Sequence, residues 1–225
     1  GVSLNISSLL FLMDTLFFDA LKAKVKPFYE KVGGHDFEHI ERVFNSSVTI
    51  AKEEGADCFI VGAAALLHDV ARIRQEKGLC KDHAEEGARI AKRLLTEMDF
   101  PQEKIDAVCY ASRIHRYSRG VKPKTKEAAI LQDADRLEVL GAMIVARVFA
   151  FDGKHDIPVY DPLKPPRKKY VSGGESCGIN HFYEKCFKIL PETFHTRKAQ
   201  EMAKGRYLFL KAFVKEFIDE WNGKK

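Results

Sequence analysis

Hydrophobic residues recur along most of the chain at intervals of three and four, which is the spacing of one face of an α-helix. This pattern predicts successive helices at about 14–29, 36–54, 58–72, 82–98, 101–117, 126–151, 180–190 and 196–221. Alternation with period two is confined to a possible short strand at 157–160. Since no repeat and no alternation of strands with helices is present, we expect an all-α fold built as an irregular helical bundle.

The run 61–70 is almost entirely apolar and ends in the pair His68-Asp69. Apolar residues lie seven, four and three positions before His68, so His68 continues their face of the helix. A polar pair at the inner end of a buried helix costs free energy unless it is hydrogen-bonded or bound to a metal. The run alone therefore leaves two interpretations open, a metal site and a hydrogen-bonded core histidine beside a helix-terminal carboxylate.

Asp135 is the second unusual polar position. Apolar residues lie seven and four positions before it and four and seven after it, namely Ala128, Leu131, Val139 and Ala142. The spacing predicts a carboxylate in the middle of an apolar helix face, where one is rare unless it is paired or binds a metal. Pairing with Arg136 is the structural alternative. His39 lies in the first turn of its predicted helix, with Arg42 one turn further on.

Two imidazoles and two carboxylates from three predicted helices, His39, His68, Asp69 and Asp135, suit a divalent ion bound by nitrogen and oxygen. Their order resembles the HD-domain superfamily of metalloenzymes, which is defined by a His, a His-Asp pair and a distal Asp. The surrounding segments 35–43, 66–70 and 131–142 resemble the motifs of that superfamily. Segments 82–88, 114–116, 179–185 and 220–221 are similar to its small bacterial and archaeal phosphohydrolases.

The resemblance implies an HD-type helical bundle over residues 14–222, with 1–13 as an N-terminal extension. It also implies a metal-dependent phosphohydrolase that cleaves phosphoester or phosphoanhydride bonds, with nucleotides as the expected substrates. The metal ligands would be His39, His68, Asp69 and Asp135, and the ion would be Mn, Fe, Co, Ni, Mg or Zn. Asp69 would also orient the attacking water, as a catalytic residue.

We expect one metal ion, but His83 and His115 also allow two. In one interpretation they are catalytic residues that contact the substrate phosphate or protonate the leaving group, beside one ion. In the other they bind a second ion, because their order is similar to that of dinuclear HD-domain proteins. Arg42, Lys81 and Arg116 are candidate phosphate contacts; the alternative is that they are ordinary charged residues exposed to solvent.

After His68-Asp69 the segment 71–74 reads Ala-Arg-Ile-Arg, where many relatives carry Gly or acidic residues, so no further catalytic carboxylate is assigned there.

Two rival functions remain open at this level. One is an HD-type oxygenase with a dinuclear iron centre. The other is a regulatory nucleotide-binding HD domain with a structural metal. Either rival is compatible with the same candidate ligands.

The composition of the chain limits the class of ligand and the cellular location that we expect. A net charge of +5 favours small anionic ligands but is too weak to predict binding of duplex nucleic acid. Five cysteines without a C-x-x-C pair predict neither a disulfide framework nor a cysteine zinc site, and a cytoplasmic location is expected.

No apolar run is long enough to span a membrane. The apolar start is a poor signal peptide, and Met13 is a candidate natural start. The oligomeric state is left open.

The segment 152–176 differs from the rest of the chain. It holds four of the eight prolines and the basic residues Lys164, Arg167, Lys168 and Lys169. Long loops in compact domains are usually functional or disordered. We weigh a mobile lid that attracts phosphate equally against a surface insertion.

Overall fold

The computed structural model describes residues 6–29, 36–171 and 177–225, with side chains from residue 13 onward. These ranges contain ten α-helices, four short 3-10 turns and no strand, which confirms the all-α prediction. The helices are α1 Ile6–Val25, α2 Phe37–Glu54, α3 Cys58–Leu67, α4 Arg72–Glu76, α5 His83–Glu97, α6 Gln102–Ile114, α7 Lys126–Leu137, α8 Ala142–Lys154, α9 Gly178–Glu184 and α10 Arg197–Trp221. His35 and residues 172–176 of the Pro-rich loop lie outside the described residues. No described helix is both long and apolar enough to cross a bilayer.

The chain forms two compact units, Gly1–Ala134 and Asp135–Lys225. The boundary falls inside α7, which is one continuous helix. The interpretation of 14–222 as a single domain, with 1–13 as an extension, stays a prediction. Helix α1 begins at Ile6 rather than near residue 14, and it ends at Val25 because Pro27 lies in the 3-10 turn that follows.

Helix α3 is the core of the first unit, because every residue from Val61 to Leu67 is buried. It packs against α1, α2, α5 and α6. Gly62 allows α1 to approach α3 closely, since a Cβ atom there would lie 2.6 Å from the Phe18 ring of α1. Side-chain caps start two of the helices: Asp36 accepts from the His39 backbone N–H, and Asp82 accepts from that of Ala84.

Two helices are shorter than predicted, because histidine side chains satisfy carbonyl groups at their ends. Helix α3 ends at Leu67, not near 72, and His68 Nδ1 donates to the carbonyl of Ala65 at 2.7 Å. Helix α6 ends at Ile114, not near 117, and His115 Nδ1 donates to the carbonyl of Ser112 at 2.6 Å. Each histidine thus replaces a backbone donor that a longer helix would have supplied.

The predicted helix 126–151 is two helices, α7 and α8, separated by residues 138–141. Gly141 has φ +83°, and a Cβ atom there would lie 3.0 Å from Arg206 Cγ, so the chain turns at a position that suits glycine. Val139 and Ala142 therefore do not extend the helix face of Asp135, and that part of the sequence argument is wrong. Ala128 and Leu131 on the same helix are fully buried.

In the second unit, α8 packs against both α9 and α10. The predicted helix 180–190 is the shorter α9 followed by a 3-10 turn at Cys186–Lys188. Residues 157–160 do not form a strand, and the strand prediction is wrong. Their carbonyl groups instead accept from the first N–H groups of α9, from Gly178 to Pro158 and from Ile179 to Val159, both at 3.0 Å.

The described part of the Pro-rich loop is attached to α9. Arg167 forms a bidentate ion pair with Glu184, with Nη2–Oε2 at 2.8 Å and Nε–Oε1 at 3.1 Å, and Glu184 is buried. The Asn180 amide donates to the Lys164 carbonyl at 2.7 Å. Arg167, one of the four basic residues between 164 and 169, therefore holds the loop in place.

Asp152 gives an expected pH dependence of stability. Burial raises the pKa of its carboxyl group to about 6, and its Oδ2 atom has no hydrogen-bond partner among the described residues. The native state binds this proton more tightly than the unfolded chain, so its stabilising contribution is lost as the pH rises from about 4 through about 6. We expect Asp152→Asn to raise the thermal midpoint at pH 8, by an amount that shrinks towards pH 4.

Thermal unfolding of Asp152→Asn and of the exposed control Asp106→Asn at pH 4, 6 and 8 measures this effect. An equal shift at all three pH values would contradict the prediction.

Candidate metal centre

Six candidate ligands lie at or near helix ends in the structure. His39 and His83 lie in the first turns of α2 and α5, and His68 and His115 directly follow α3 and α6. Asp69 follows His68, and Asp135 lies in the last turn of α7. Asp135 is partly exposed, and the other five are buried: His39, His68, Asp69, His83 and His115 are at most 3% exposed. Buried groups of this kind require an ion, a proton or a hydrogen bond.

The first group of ligands is His39, His68 and Asp135. Each offers one ligand atom, and these atoms all lie within 4.8 Å of one another. The rings of His39 and His68 are 5.7 Å apart. From the sequence, these three residues were grouped only through the resemblance to the HD-domain superfamily. In the structure, their ligand atoms are close enough to bind one ion.

The second group of ligands is Asp69, His83 and His115, whose ligand atoms also lie within 4.8 Å of one another. Asp69 Oδ1 is 3.2 Å from His83 Nε2 and 3.4 Å from His115 Nε2. Its other oxygen, Oδ2, is 4.0 Å from His68 Nε2. The Asp69 carboxylate therefore lies between the two groups and directs one oxygen to each.

The rings of three histidines are oriented by the hydrogen bonds of their Nδ1 atoms. The Nδ1 atoms of His68 and His115 donate to backbone carbonyl groups, and Nδ1 of His83 faces the Oε1 atom of Gln75. Because these partners accept, each neutral ring carries its proton on Nδ1 and presents a lone pair at Nε2. Two such lone pairs face one Asp69 oxygen, so a cation or ring protonation must relieve the repulsion there.

This donor set fits a divalent metal. Metal-bound histidines commonly donate their second ring N–H to a carbonyl or carboxylate oxygen, which sets the tautomer and the ring orientation. Mixed imidazole and carboxylate ligation suits the first-row divalent ions and magnesium. The second group offers ligands for a further ion, whereas the sequence alone favoured one ion.

Gln75 was not identified from the sequence. It lies on the short helix α4, and its amide group donates to the Lys81 carbonyl at 2.8 Å while its oxygen faces His83. Only the fold brings α4 against α5. The one signal in the sequence is a polar residue shortly after the His-Asp pair, which is too common a pattern to be diagnostic.

Tyr29 is a further neighbour that the sequence analysis did not single out. Its hydroxyl donates to the Leu66 carbonyl at 2.8 Å, in the last turn of α3. Burial raises the pKa of Tyr29 well above its usual value, and the Asp69 carboxylate raises it further. The hydroxyl therefore stays protonated and supports the helix end that carries His68 and Asp69.

Each of the three predicted phosphate contacts lies within three residues of a candidate metal ligand in the sequence. Arg42 is partly buried one turn after His39, Lys81 is exposed two residues before His83, and Arg116 is partly buried next to His115. The Lys81 backbone is fixed by Gln75. Phosphate binding by these three side chains stays a prediction.

The structural alternative for Asp135 was a pair with Arg136. The Arg136 guanidinium donates to the carbonyl and hydroxyl oxygens of Thr193 at 2.9 and 2.6 Å, and it stacks on the Phe194 ring at 4.1 Å. Arg136 thus has a separate structural role in the second unit.

Comparison with known proteins places these residues in a family. The family model described as "HD domain" matches residues 36–140, which contain all six candidate ligands. A crystal structure of an HD-superfamily hydrolase from Bacillus thuringiensis is 32% identical, with a TM-score of 0.74 over 93% of this chain and 98% of that chain. A predicted HD superfamily hydrolase from an uncultured Thermotogales bacterium is also 32% identical, with a TM-score of 0.65 over 90% of this chain and 92% of that one.

The protein YpgQ of Bacillus subtilis, which is described as uncharacterized, is also similar. It is 29% identical over 191 residues, covering 83% of this chain and 84% of YpgQ. A crystal structure of YpgQ in complex with ADP has a TM-score of 0.69 at 26% identity, over 92% of this chain and 96% of that chain.

Proposed function

The chain belongs to the HD superfamily of hydrolases, and on that premise we propose that it is a metal-dependent phosphohydrolase whose substrates are nucleotides. One observation carries the proposal: two groups of candidate ligands, all but Asp135 buried, meet at the His68-Asp69 pair. The proposed reaction is hydrolysis of a phosphoester or phosphoanhydride bond.

We assign His39, His68, Asp69 and Asp135 to a first divalent ion, and Asp69, His83 and His115 to a second. When bound, such an ion lowers the pKa of a water ligand and polarises a phosphoryl oxygen. Candidates for it are Mn, Fe, Co, Ni, Mg and Zn.

The protein residues have separate tasks in this proposal. Asp69 lies between the two ligand groups and can accept a hydrogen bond from the attacking water, which orients it. The rings of His83 and His115 are held by their Nδ1 bonds, which keep their Nε2 atoms directed at Asp69. Arg42, Lys81 and Arg116 supply positive charge for the substrate phosphates.

Support for a nucleotide comes from the relative that was crystallised with ADP. The net charge of +5 agrees with a phosphorylated small molecule. We propose that neither a membrane nor duplex nucleic acid is a partner of this protein.

The test is a screen of the purified protein against nucleoside mono-, di- and triphosphates with Mn²⁺, Co²⁺, Ni²⁺ or Mg²⁺, with identification of products. We expect release of phosphate or pyrophosphate from at least one nucleotide. Two bound irons with oxygen consumption and no phosphate release would instead identify the oxygenase. Thermal stabilisation by nucleotide with no turnover under any metal would identify the regulatory domain.

A further inference from the structure

The outward face of α10 is apolar at its centre. Leu208 and Phe209 are 57% and 49% exposed, and Gly205 and Ala212 lie on the same face and are also exposed. The residues of α10 that are buried lie on the opposite face, namely Ala199, Ala203, Leu210 and Val214. A helix at the surface of a protein is usually polar on the side away from the core. The outward face of α10 therefore has the character of a contact surface.

Gly205 is a residue of this face that packing within the chain does not explain. It lies inside a helix of 25 residues, where glycine is less favourable than alanine. A Cβ atom at this position would have no other described atom of the chain within 4 Å, so the fold does not require a glycine there. The absent side chain leaves a notch one turn before Phe209, and a side chain from outside could pack into it.

The charges of α10 are arranged against its own helix dipole. Acidic residues in the first turn and basic residues in the last turn stabilise a helix, and α10 has neither. Its first turn instead contains Arg197 and Lys198, and its last turn contains Asp219 and Glu220. This arrangement is unfavourable within one helix. A second α10 in the antiparallel direction would place an acidic end beside each basic end.

The charged residues of α10 also form ion pairs within the chain. Three such pairs lie on the helix or directly after it: Lys198–Glu201 at 3.3 Å, Lys215–Asp219 at 2.5 Å and Lys225–Glu216 at 2.6 Å. One partner in each pair has more than half of its side chain exposed. Because ion pairs at the surface contribute little to stability, these side chains can form pairs with a second copy at small cost.

We propose that the outward face of α10 binds the same face of a second copy of this chain, with the two helices antiparallel. In one register, Phe209 of one copy lies against the notch at Gly205 of the other. The same register places Lys198 opposite Glu216, because both pairs of positions are centred on position 207. Two-fold symmetry forms each of these contacts twice.

The size of the face limits the strength of this dimer. A helix of 25 residues is about 37 Å long and about 10 Å across, so two paired helices bury roughly 800 Å² in total. Permanent dimers bury more than this, and interfaces of this size are typical of weak complexes. We therefore expect a dimer that dissociates at micromolar concentrations, on the order of 10 µM.

Sedimentation velocity of the full chain, from about 1 to about 200 µM, measures this equilibrium. We expect the dimer fraction to rise with concentration, and Phe209→Glu and Gly205→Gln each to raise the dimer Kd at least about 10-fold. Gly205→Gln should at the same time raise the thermal midpoint of the dilute monomer, because glutamine favours a helix. A loss of dimer in this variant is then not a loss of folding. The control is Leu163→Glu, at a loop leucine that is 89% exposed.

A charge exchange tests the antiparallel register. Lys198→Glu and Glu216→Lys should each weaken the dimer, and the two changes together should restore it, because the pair is formed again with its charges exchanged. If the double variant is as weak as the single variants, the register is wrong. A monomer at every concentration would leave the outward face to a different partner and would overturn the proposal. A dimer that Phe209→Glu does not weaken would also overturn it.

Discussion

Asp69→Ala should reduce nucleotide hydrolysis on the order of 10³-fold or more, the largest loss we expect from any single substitution. The carboxylate is 3% exposed and directs one oxygen to each ligand group. Removing it takes a shared ligand from both ions and the acceptor that orients the water. The double change His68→Ala with Asp69→Ala should abolish activity.

The measurement is kcat/KM at saturating Mn²⁺, together with the thermal midpoint with and without the metal. The unaltered protein should be stabilised by Mn²⁺, because a ligand that binds only the folded state raises its stability. Asp69→Ala should lose most of that increment while its circular dichroism stays helical. Asp106→Ala, at a carboxylate whose side chain is 87% exposed, is the control. Full activity in the double variant would refute the site assignment.

His83→Ala should lower the bound metal from two ions per chain to one and reduce turnover on the order of 10²-fold. His83 Nε2 lies 3.2 Å from Asp69 Oδ1 in the second group, and it is not part of the first. His39→Ala should remove the other ion. Elemental analysis of protein dialysed against limiting Mn²⁺ measures the stoichiometry.

Substitutions of Gln75 test binding of the second ion without removing one of its ligands. Gln75→Ala should weaken binding of the second ion about 10–100-fold, since it removes the acceptor that orients His83. Gln75→Glu keeps an acceptor and should bind metal at least as well as the unaltered protein. Gln200→Ala, which removes a donor to the Phe194 carbonyl, is the control. A single ion in the unaltered protein, with catalysis still dependent on His83, would favour the acid role for this histidine instead.

Much of the fold could be predicted from the sequence because it depends on local spacing and caps. The limits of α2 follow from Asp36 as its N-cap and Gly55 as its left-handed C-cap. The ends of α3, α6 and α7 could not be predicted so closely. They depend on side chains that return to backbone carbonyls and on the approach of Arg206 to Gly141, which arise only when distant segments pack.

By itself, the sequence determined the helical class, because hydrophobic periodicity is a local property. Resemblance to the HD-domain superfamily supplied the candidate ligands His39, His68, Asp69 and Asp135. Only the tertiary structure grouped the ligands as two sets of three and brought Gln75 to His83. The reason is distance along the chain: His39 and Asp135 are separated by 96 positions, and only helix packing decides which donor atoms lie within a few ångströms.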